Sequence, residues 1–513
     1  MGTVSLSAQP KYWILLKDKD TTDYDYRKHL SQATIDKRQR LGLPLSQYTD
    51  IPLNPKYLQH IQREQIRPIA RSRWLNAVSA KLTEYQRDWL SRQSYVTGIQ
   101  EIKDRKGGAQ GMGRFSKTPG EQLSVDWAVR QTNPAPFFKQ GLSGRNVRVG
   151  VIDAGFVGAH ENNSLSQLFR DSLILDVRDF LEPFKKDHFG QASTHSDWHG
   201  ALVLEKIAGK DSSKNKYHGL GTNASFVLAR TEHGDREFRG EEDLWVNALE
   251  WMDSLGVRLV NTSLGYGMDF DNPEENYTPE QMNGSTAFIS KAAQIAVEQK
   301  GVFIVAAAGN EGMNGDWKVV SAPADAQGVL AVGATNKVGL KASYSSFGPD
   351  FLPYLKPNVS CYSPNGTSFS APIITGFVAC LLEAYPNASN EELSKAIQQS
   401  AYLYPYGNRQ VGYGVPQAQT ALDLLQGQDS EKEFKEMKAH RRKRIIFRNT
   451  KKRATPWSTA VLLFHKVGDH KVVKDKVRRT KRRRLRIRRP NNGATRTTVL
   501  FPDNSGVEIW WSK

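Results

Sequence analysis

Between residues 144 and 335 the chain repeats one pattern: a short apolar, β-branched run, then a longer stretch with apolar residues three and four apart. The runs lie at 147–152, 225–230, 257–262, 302–308 and 329–334, and the helical stretches include 200–208, 241–255 and 287–299. Runs that are apolar throughout fit strands buried on both faces, and strands joined through helices run parallel. The pattern predicts a doubly wound parallel α/β sheet, which binds ligands beyond the carboxyl ends of its strands.

Polar residues stand at several of those ends. Asp153 follows the run 147–152, and Asn310 follows 302–308. His199 opens a helical pattern in which it shares one face with Val203 and Ile207. Ser368 sits between Gly366-Thr367 and an apolar helical stretch, where unpaired backbone N–H groups favour developing negative charge. Singly, each has a plain reading: a turn former, a cap, a surface histidine. An alcohol, an imidazole and a carboxylate in one chain are also what acyl transfer needs, because an imidazole titrates near neutral pH and accepts a serine proton.

Five motifs occur in order: VIDAG at 151–155, HG at 199–200, NTSLG at 261–265, AAAGNEG at 306–312 and GTSFSAP at 366–372. Together they resemble the subtilisin-like serine peptidases, over about residues 122–421. The resemblance implies a serine endopeptidase in which Ser368 is the nucleophile, His199 the general base and Asp153 the carboxylate that orients the imidazole. It implies an oxyanion site made by the Ser368 N–H and the Asn310 side-chain amide. Polypeptide substrates would add as a strand along Ser263, Leu264 and Gly265, with Ala307, Ala308 and Gly309 lining the first pocket. This chemistry requires no cofactor, and neither a structural calcium pattern nor an oligomeric state is assigned. The chain departs from the family pattern at Ala154, where a hydroxyl residue is usual, and at 357–366, an interval shorter than the loop and strand usual there.

Two other chemistries fit less well. A serine esterase of the α/β-hydrolase kind wants GxSxG and the order serine, acid, histidine, whereas here the serine comes last. His195 and His199 are spaced like a metal pair, but the polar stretch around them offers no third ligand and reads as loop. Cys361 and Cys380 flank the serine stretch and could pair, though Cys380 lies in an apolar run and reads as a buried helical residue.

The flanks differ in character. Residues 1–120 read as a small α+β unit, with strands at 12–16 and 95–102, a β-rich stretch at 66–82 around Trp74, and helices at 30–41, 57–62 and 84–90. The resemblance implies a propeptide-like domain, a permanent accessory domain being the other reading, and the Gly-rich basic stretch 103–114 reads as an exposed linker. After a catalytic part at 121–428, residues 429–513 read as a charged helical start and then a small antiparallel β domain. Arg484, Arg486 and Arg488 alternate there with Leu485 and Ile487, giving one cationic face. Residues 431–513 hold 26 Lys+Arg against 7 Asp+Glu, and the rest of the chain 45 against 46, so the net charge of +18 belongs to this tail. Clusters such as 481–484 suit nucleic acid or another anionic polymer or surface, and a solvated sheet face is the plainer account. The alternative function is a catalytically impaired subtilisin-like protein that binds through this tail. No run of about 18 uninterrupted apolar residues occurs, so no transmembrane helix is predicted. The N-terminus lacks the basic and apolar regions of a secretory signal. The family is mostly exported, so the resemblance implies a secreted or cell-surface protein whose signal has been removed, an intracellular protein being the other reading.

Overall fold

The computed structural model describes residues 9–102, 122–211, 213, 216–268, 270–429, 434–448, 460–479, 484–491 and 493–512. The linker stretch 103–114 and most of the 481–484 cluster lie outside them.

The centre is a seven-stranded sheet in the order Val359–Tyr362, Leu330–Thr335, Phe303–Ala307, Leu259–Thr262, Arg148–Asp153, Ser225–Arg230, Ile174–Asp179. Every neighbouring pair is parallel. The five apolar runs predicted from the sequence are its five interior strands. Ile174–Asp179, at one edge, mixes exposed and covered residues and so shows no continuous apolar run. At the other edge, the interval 357–366 is long enough after all for the strand Val359–Tyr362, because its four residues need only pair with Val332–Thr335.

Helices cover both faces. His199–Ala208 and Ala371–Ala384 lie on one, in a core with Val149, Val151, Leu228 and Val305. Glu241–Ser254 and Phe288–Gln299 lie on the other, with Ile152, Val260 and Ile304. The stretch Thr367–Ala384 is apolar enough to cross a membrane by length and composition, but it is the buried central helix of this core. Gly376 lets it approach the His199 helix, since a Cβ there would lie 2.8 Å from the Ile207 carbonyl oxygen. Cys380 is on this helix as predicted, and both cysteines are free and buried.

The N-terminal unit is a four-stranded antiparallel sheet, Pro68–Ser72, Ala77–Lys81, Lys11–Leu16, Val96–Ile102, with helices Gln32–Arg40, Pro55–Arg63 and Glu84–Ser91. Trp74 lies in the turn between its first two strands in that order. The unit docks on the helix Glu241–Ser254 through buried polar contacts: Lys11 to Asp243 at 2.5 Å, Lys37 to Asp253 at 2.8 Å, and Ser72 Oγ donating to Glu250 at 2.6 Å.

The C-terminal domain is a five-stranded sheet, Phe434–Lys438, Gly506–Trp510, Arg496–Leu500, Ala460–Val467, Lys471–Arg479, beside a two-stranded sheet of Arg444–Arg448 and Arg484–Arg488. Its start is a strand and not the helix expected. Phe434–Lys438 runs parallel to Gly506–Trp510, and the Phe434 ring occupies the space a side chain at Gly506 would need.

Candidate active site

The sheet's strand order reverses at Arg148–Asp153: the chain moves from it to the far edge, returns beside it, then proceeds outward from its other side. A crevice forms at such a switch point. Asp153 is the last residue of that strand, and Ser263 follows the neighbouring strand Leu259–Thr262.

Asp153 is fully buried. Its Oδ1 accepts from His199 Nδ1 at 2.6 Å and from the Ala154 backbone N–H at 2.8 Å. Oδ2 has no hydrogen-bond partner, consistent with Ala154 standing where a hydroxyl would donate. His199 is the first residue of its helix and is 2% exposed. The bond to Asp153 fixes Nδ1 as the protonated nitrogen of the neutral ring and leaves Nε2 the unprotonated one. Burial lowers the imidazole pKa, but the Asp153 charge and hydrogen bond outweigh it, so the pKa stands above the ordinary value. The loop before His199 is held by a buried ion network: Arg230 lies 2.8 Å from Asp179 and 3.0 Å from Asp197 and donates to the Ala154 carbonyl at 3.0 Å.

Ser368 sits in the one-turn 3-10 helix Thr367–Phe369, just ahead of Ala371–Ala384 rather than inside its first turn. Gly366, at φ +117°, makes the sharp entry. Ser368 and Ser263 clasp each other: Ser368 Oγ donates to the Ser263 carbonyl at 3.1 Å, and Ser263 Oγ donates to the Ser368 carbonyl at 3.0 Å. The His199 helix packs against this turn, and the rings of His199 and Phe369 are 5.4 Å apart. Asn310 is exposed, and its Oδ1 accepts from Thr367 N–H at 2.9 Å and from Thr367 Oγ1 at 3.1 Å, which leaves the Nδ2 amino group to donate elsewhere. Thr367 Oγ1 also accepts from Gly309 N–H at 3.1 Å, so the turn carrying Ser368 is tied to the 307–310 loop. Of the other residues singled out from the sequence, Leu264, Ala307 and Ala308 are buried, Gly265 is exposed and Gly309 is half-buried with φ +106°.

His195 does not join His199. It is exposed and bonded to Asp235, and among the described residues no group of His, Cys, Asp and Glu could hold a metal ion.

Sequence reasoning missed Glu232. Thr231 N–H donates to the Asp153 carbonyl at 3.1 Å, which places Glu232 just beyond the end of the strand beside Asp153. The side chain is buried and Oε2 has no hydrogen-bond partner. Burial, then the charge of Asp153, raises its pKa to about 7. Its signal was an acid just past the strand 225–230, comparable to Asp153 at the end of 148–153.

A model described as the Subtilase family matches residues 144–414, and one for a Peptidase S8 propeptide domain of Bacteroidota matches 11–112. Subtilisin E of Bacillus subtilis is 27% identical over 340 residues, spanning 64% of this chain and 76% of its own length. Subtilisin of Bacillus pumilus is 29% identical over 289 residues, 54% of this chain and 92% of its own. Two solved structures share the fold. The epidermin leader peptide processing serine protease of Staphylococcus aureus covers 83% of this chain and 100% of its own, with TM-score 0.53 and 16% identity. Fervidolysin from Fervidobacterium pennivorans covers 96% and 71%, with TM-score 0.51 and 17% identity.

Proposed function

Since the chain belongs to the subtilase family and is a serine-type endopeptidase with an N-terminal propeptide, we propose that it cleaves peptide bonds through Asp153, His199 and Ser368. The observation that carries this reading is the 2.6 Å bond between His199 Nδ1 and Asp153 Oδ1, buried beside the turn that bears Ser368. His199 Nε2 takes the proton as Ser368 Oγ attacks the scissile carbonyl, and Asp153 stabilises the imidazolium that forms. The tetrahedral oxyanion accepts from the Ser368 backbone N–H and Asn310 Nδ2, each donor lowering the barrier by roughly 3 kcal/mol. His199 then protonates the leaving amine, and water resolves the acyl-enzyme by the same route in reverse. The substrate lies as a strand against 263–265, with a side chain directed to 307–309. Asp, His and Ser suffice for this chemistry, so no cofactor enters it. The family is one of exported enzymes, and we place the action on polypeptides outside the cytoplasm.

A fluorophosphonate probe tests the assignment. It labels the intact enzyme at Ser368, does not label Ser368→Ala, and labels His199→Ala at a sharply reduced rate. Labelling at another serine, or undiminished labelling of His199→Ala, rejects it.

A further inference from the structure

We propose that the two-stranded sheet of the C-terminal domain docks the enzyme on an anionic phospholipid surface. The strands Arg444–Arg448 and Arg484–Arg488 pair antiparallel, with Ile445 opposite Ile487 and Phe447 opposite Leu485. Ile445, Leu485 and Ile487, with Phe447 beside them, turn inward onto Val461, Val499 and Trp511. The other face carries Arg444 opposite Arg488 and Ile446 opposite Arg486. Arg444, Arg484, Arg486 and Arg488 are exposed, as are Arg441, Arg442 and Lys443 just before the first strand.

Folding alone does not account for this face. Like charges directly opposite each other in a sheet are destabilising. The ion pairs of the domain among the described residues are Lys466 with Glu508, Arg496 with Asp469, and Lys471 with Asp350 of the catalytic part, and none involves these arginines. The excess is local as well, because the chain outside 431–513 is almost neutral. The edge strand Lys471–Arg479 is also basic, but lysines on an edge strand are explained by protection against strand pairing. Both strands of the two-stranded sheet are edges as well, but setting Arg444 opposite Arg488 adds a repulsion that edge protection does not require.

The chemistry of the face selects its partner. Guanidiniums bind phosphate oxygens through a planar fork, where lysine offers only a point charge. Alternate residues of a strand lie about 6.7 Å apart, so the face presents regularly spaced forks. Amid them Ile446 is 46% exposed. An apolar side chain ringed by cations is what interfacial elements insert between lipid headgroups. Bases of a single-stranded nucleic acid would instead need aromatic side chains to stack on. Among the described residues, the exposed large apolar side chains of this domain are Ile446, Val467 and Val473, all aliphatic.

Flotation of the full-length chain with vesicles tests this. It co-floats with phosphatidylcholine vesicles containing phosphatidylglycerol, stays behind with pure phosphatidylcholine, and is released by high salt. One basic residue near such a surface is worth about fivefold in partitioning, so R444Q/R486Q/R488Q loses on the order of a hundredfold. R444K/R486K/R488K keeps most of the binding, and Ile446→Ser weakens it without changing the salt dependence. Melting curves that match the intact protein's show that the variants are folded. Failure to float with the anionic vesicles, equal flotation of the glutamine variant, or displacement by a single-stranded oligonucleotide at lower phosphate concentration than the lipid overturns the proposal.

Discussion

At the scale of single residues, the assignment makes three quantitative demands. His199 must lose its proton to act, and its pKa stands above the ordinary 6.5, so the acid limb of kcat/KM has its midpoint above that value. Asp153→Asn removes the charge responsible and the tautomer with it; activity drops on the order of 10^4-fold, the scale general to serine triads, and the remaining limb moves to lower pH. Asn310→Ala lowers kcat by about 10^2- to 10^3-fold with little change in KM, because the donor acts on the oxyanion and not on the ground-state carbonyl. Glu232 makes a stability prediction. Its folded pKa is about 7 against 4.5 for an unperturbed glutamate, so the folded chain holds a proton that the unfolded chain gives up. That contribution is complete below pH 4.5 and is lost as pH rises to about 7, a change of about 3 kcal/mol. Glu232→Gln removes the slope: the difference in Tm, variant minus parent, grows between about pH 5 and about pH 8. A constant difference refutes the assignment of that proton to Glu232. Asp153, His199 and Ser368 stood out as candidates because each lies in a local motif at a strand or helix end, whereas Glu232 has only the weak sign of an acid past the strand 225–230, and the burial and charge that shift it come from its neighbours in space.

At the scale of elements, the meeting of the Asp153 strand and the His199 helix depends on Gly200. A Cβ there would lie 2.4 Å from the Gly155 carbonyl oxygen and 3.0 Å from Asp153 Cβ. Neither neighbour is the flexible end of a side chain, so Gly200→Ala must push the helix away from the strand. The expected cost is about 1–3 kcal/mol of stability. The more telling readout is kcat, which falls while KM holds, because the substrate groove proposed at 263–265 lies on another element. A variant that loses stability at full kcat would show that the helix yields elsewhere. The same contrast explains which elements the sequence revealed. Interior strands such as Phe303–Ala307 are buried throughout and announce themselves as apolar runs. The strands Ile174–Asp179 and Phe434–Lys438 mix charged residues with partly covered apolar ones because they lie at sheet edges. The charge density of the second imitates a helix, and only pairing with Gly506–Trp510 makes it a strand.

At the scale of the whole molecule, the N-terminal unit is held by buried charges that no sequence pattern announces. Arg38 and Asp50 of that unit are fully buried at 2.5 Å, Arg38 also lies 3.6 Å from Asp253, and Lys300 of the catalytic part lies 2.6 Å from Asp50. Lys37 adds a second contact to Asp253 at 2.8 Å. Three cations thus enclose two carboxylates across the interface. Such a network adds little beyond what a well-packed apolar contact would, but losing one of its two carboxylates leaves buried cations uncompensated, at a cost of about 3–5 kcal/mol. Asp50→Ala leaves Arg38, Lys37 and Lys300 against Asp253 alone, and because Arg38 and Lys300 belong to different units, separating the units is the cheapest way to rehydrate them. Hydrogen exchange in the Ser368→Ala background, where self-cleavage is removed, then speeds up in the strands Lys11–Leu16 and Ala77–Lys81 and stays slow in Leu259–Thr262. With Ser368 intact, the same substitution raises basal peptidase activity if the N-terminal unit occludes the cleft as a propeptide does. Faster exchange with no gain in activity would assign the unit to support of the fold. Unchanged exchange would mean that water reaches the pair without separation and that the network does not hold the units together.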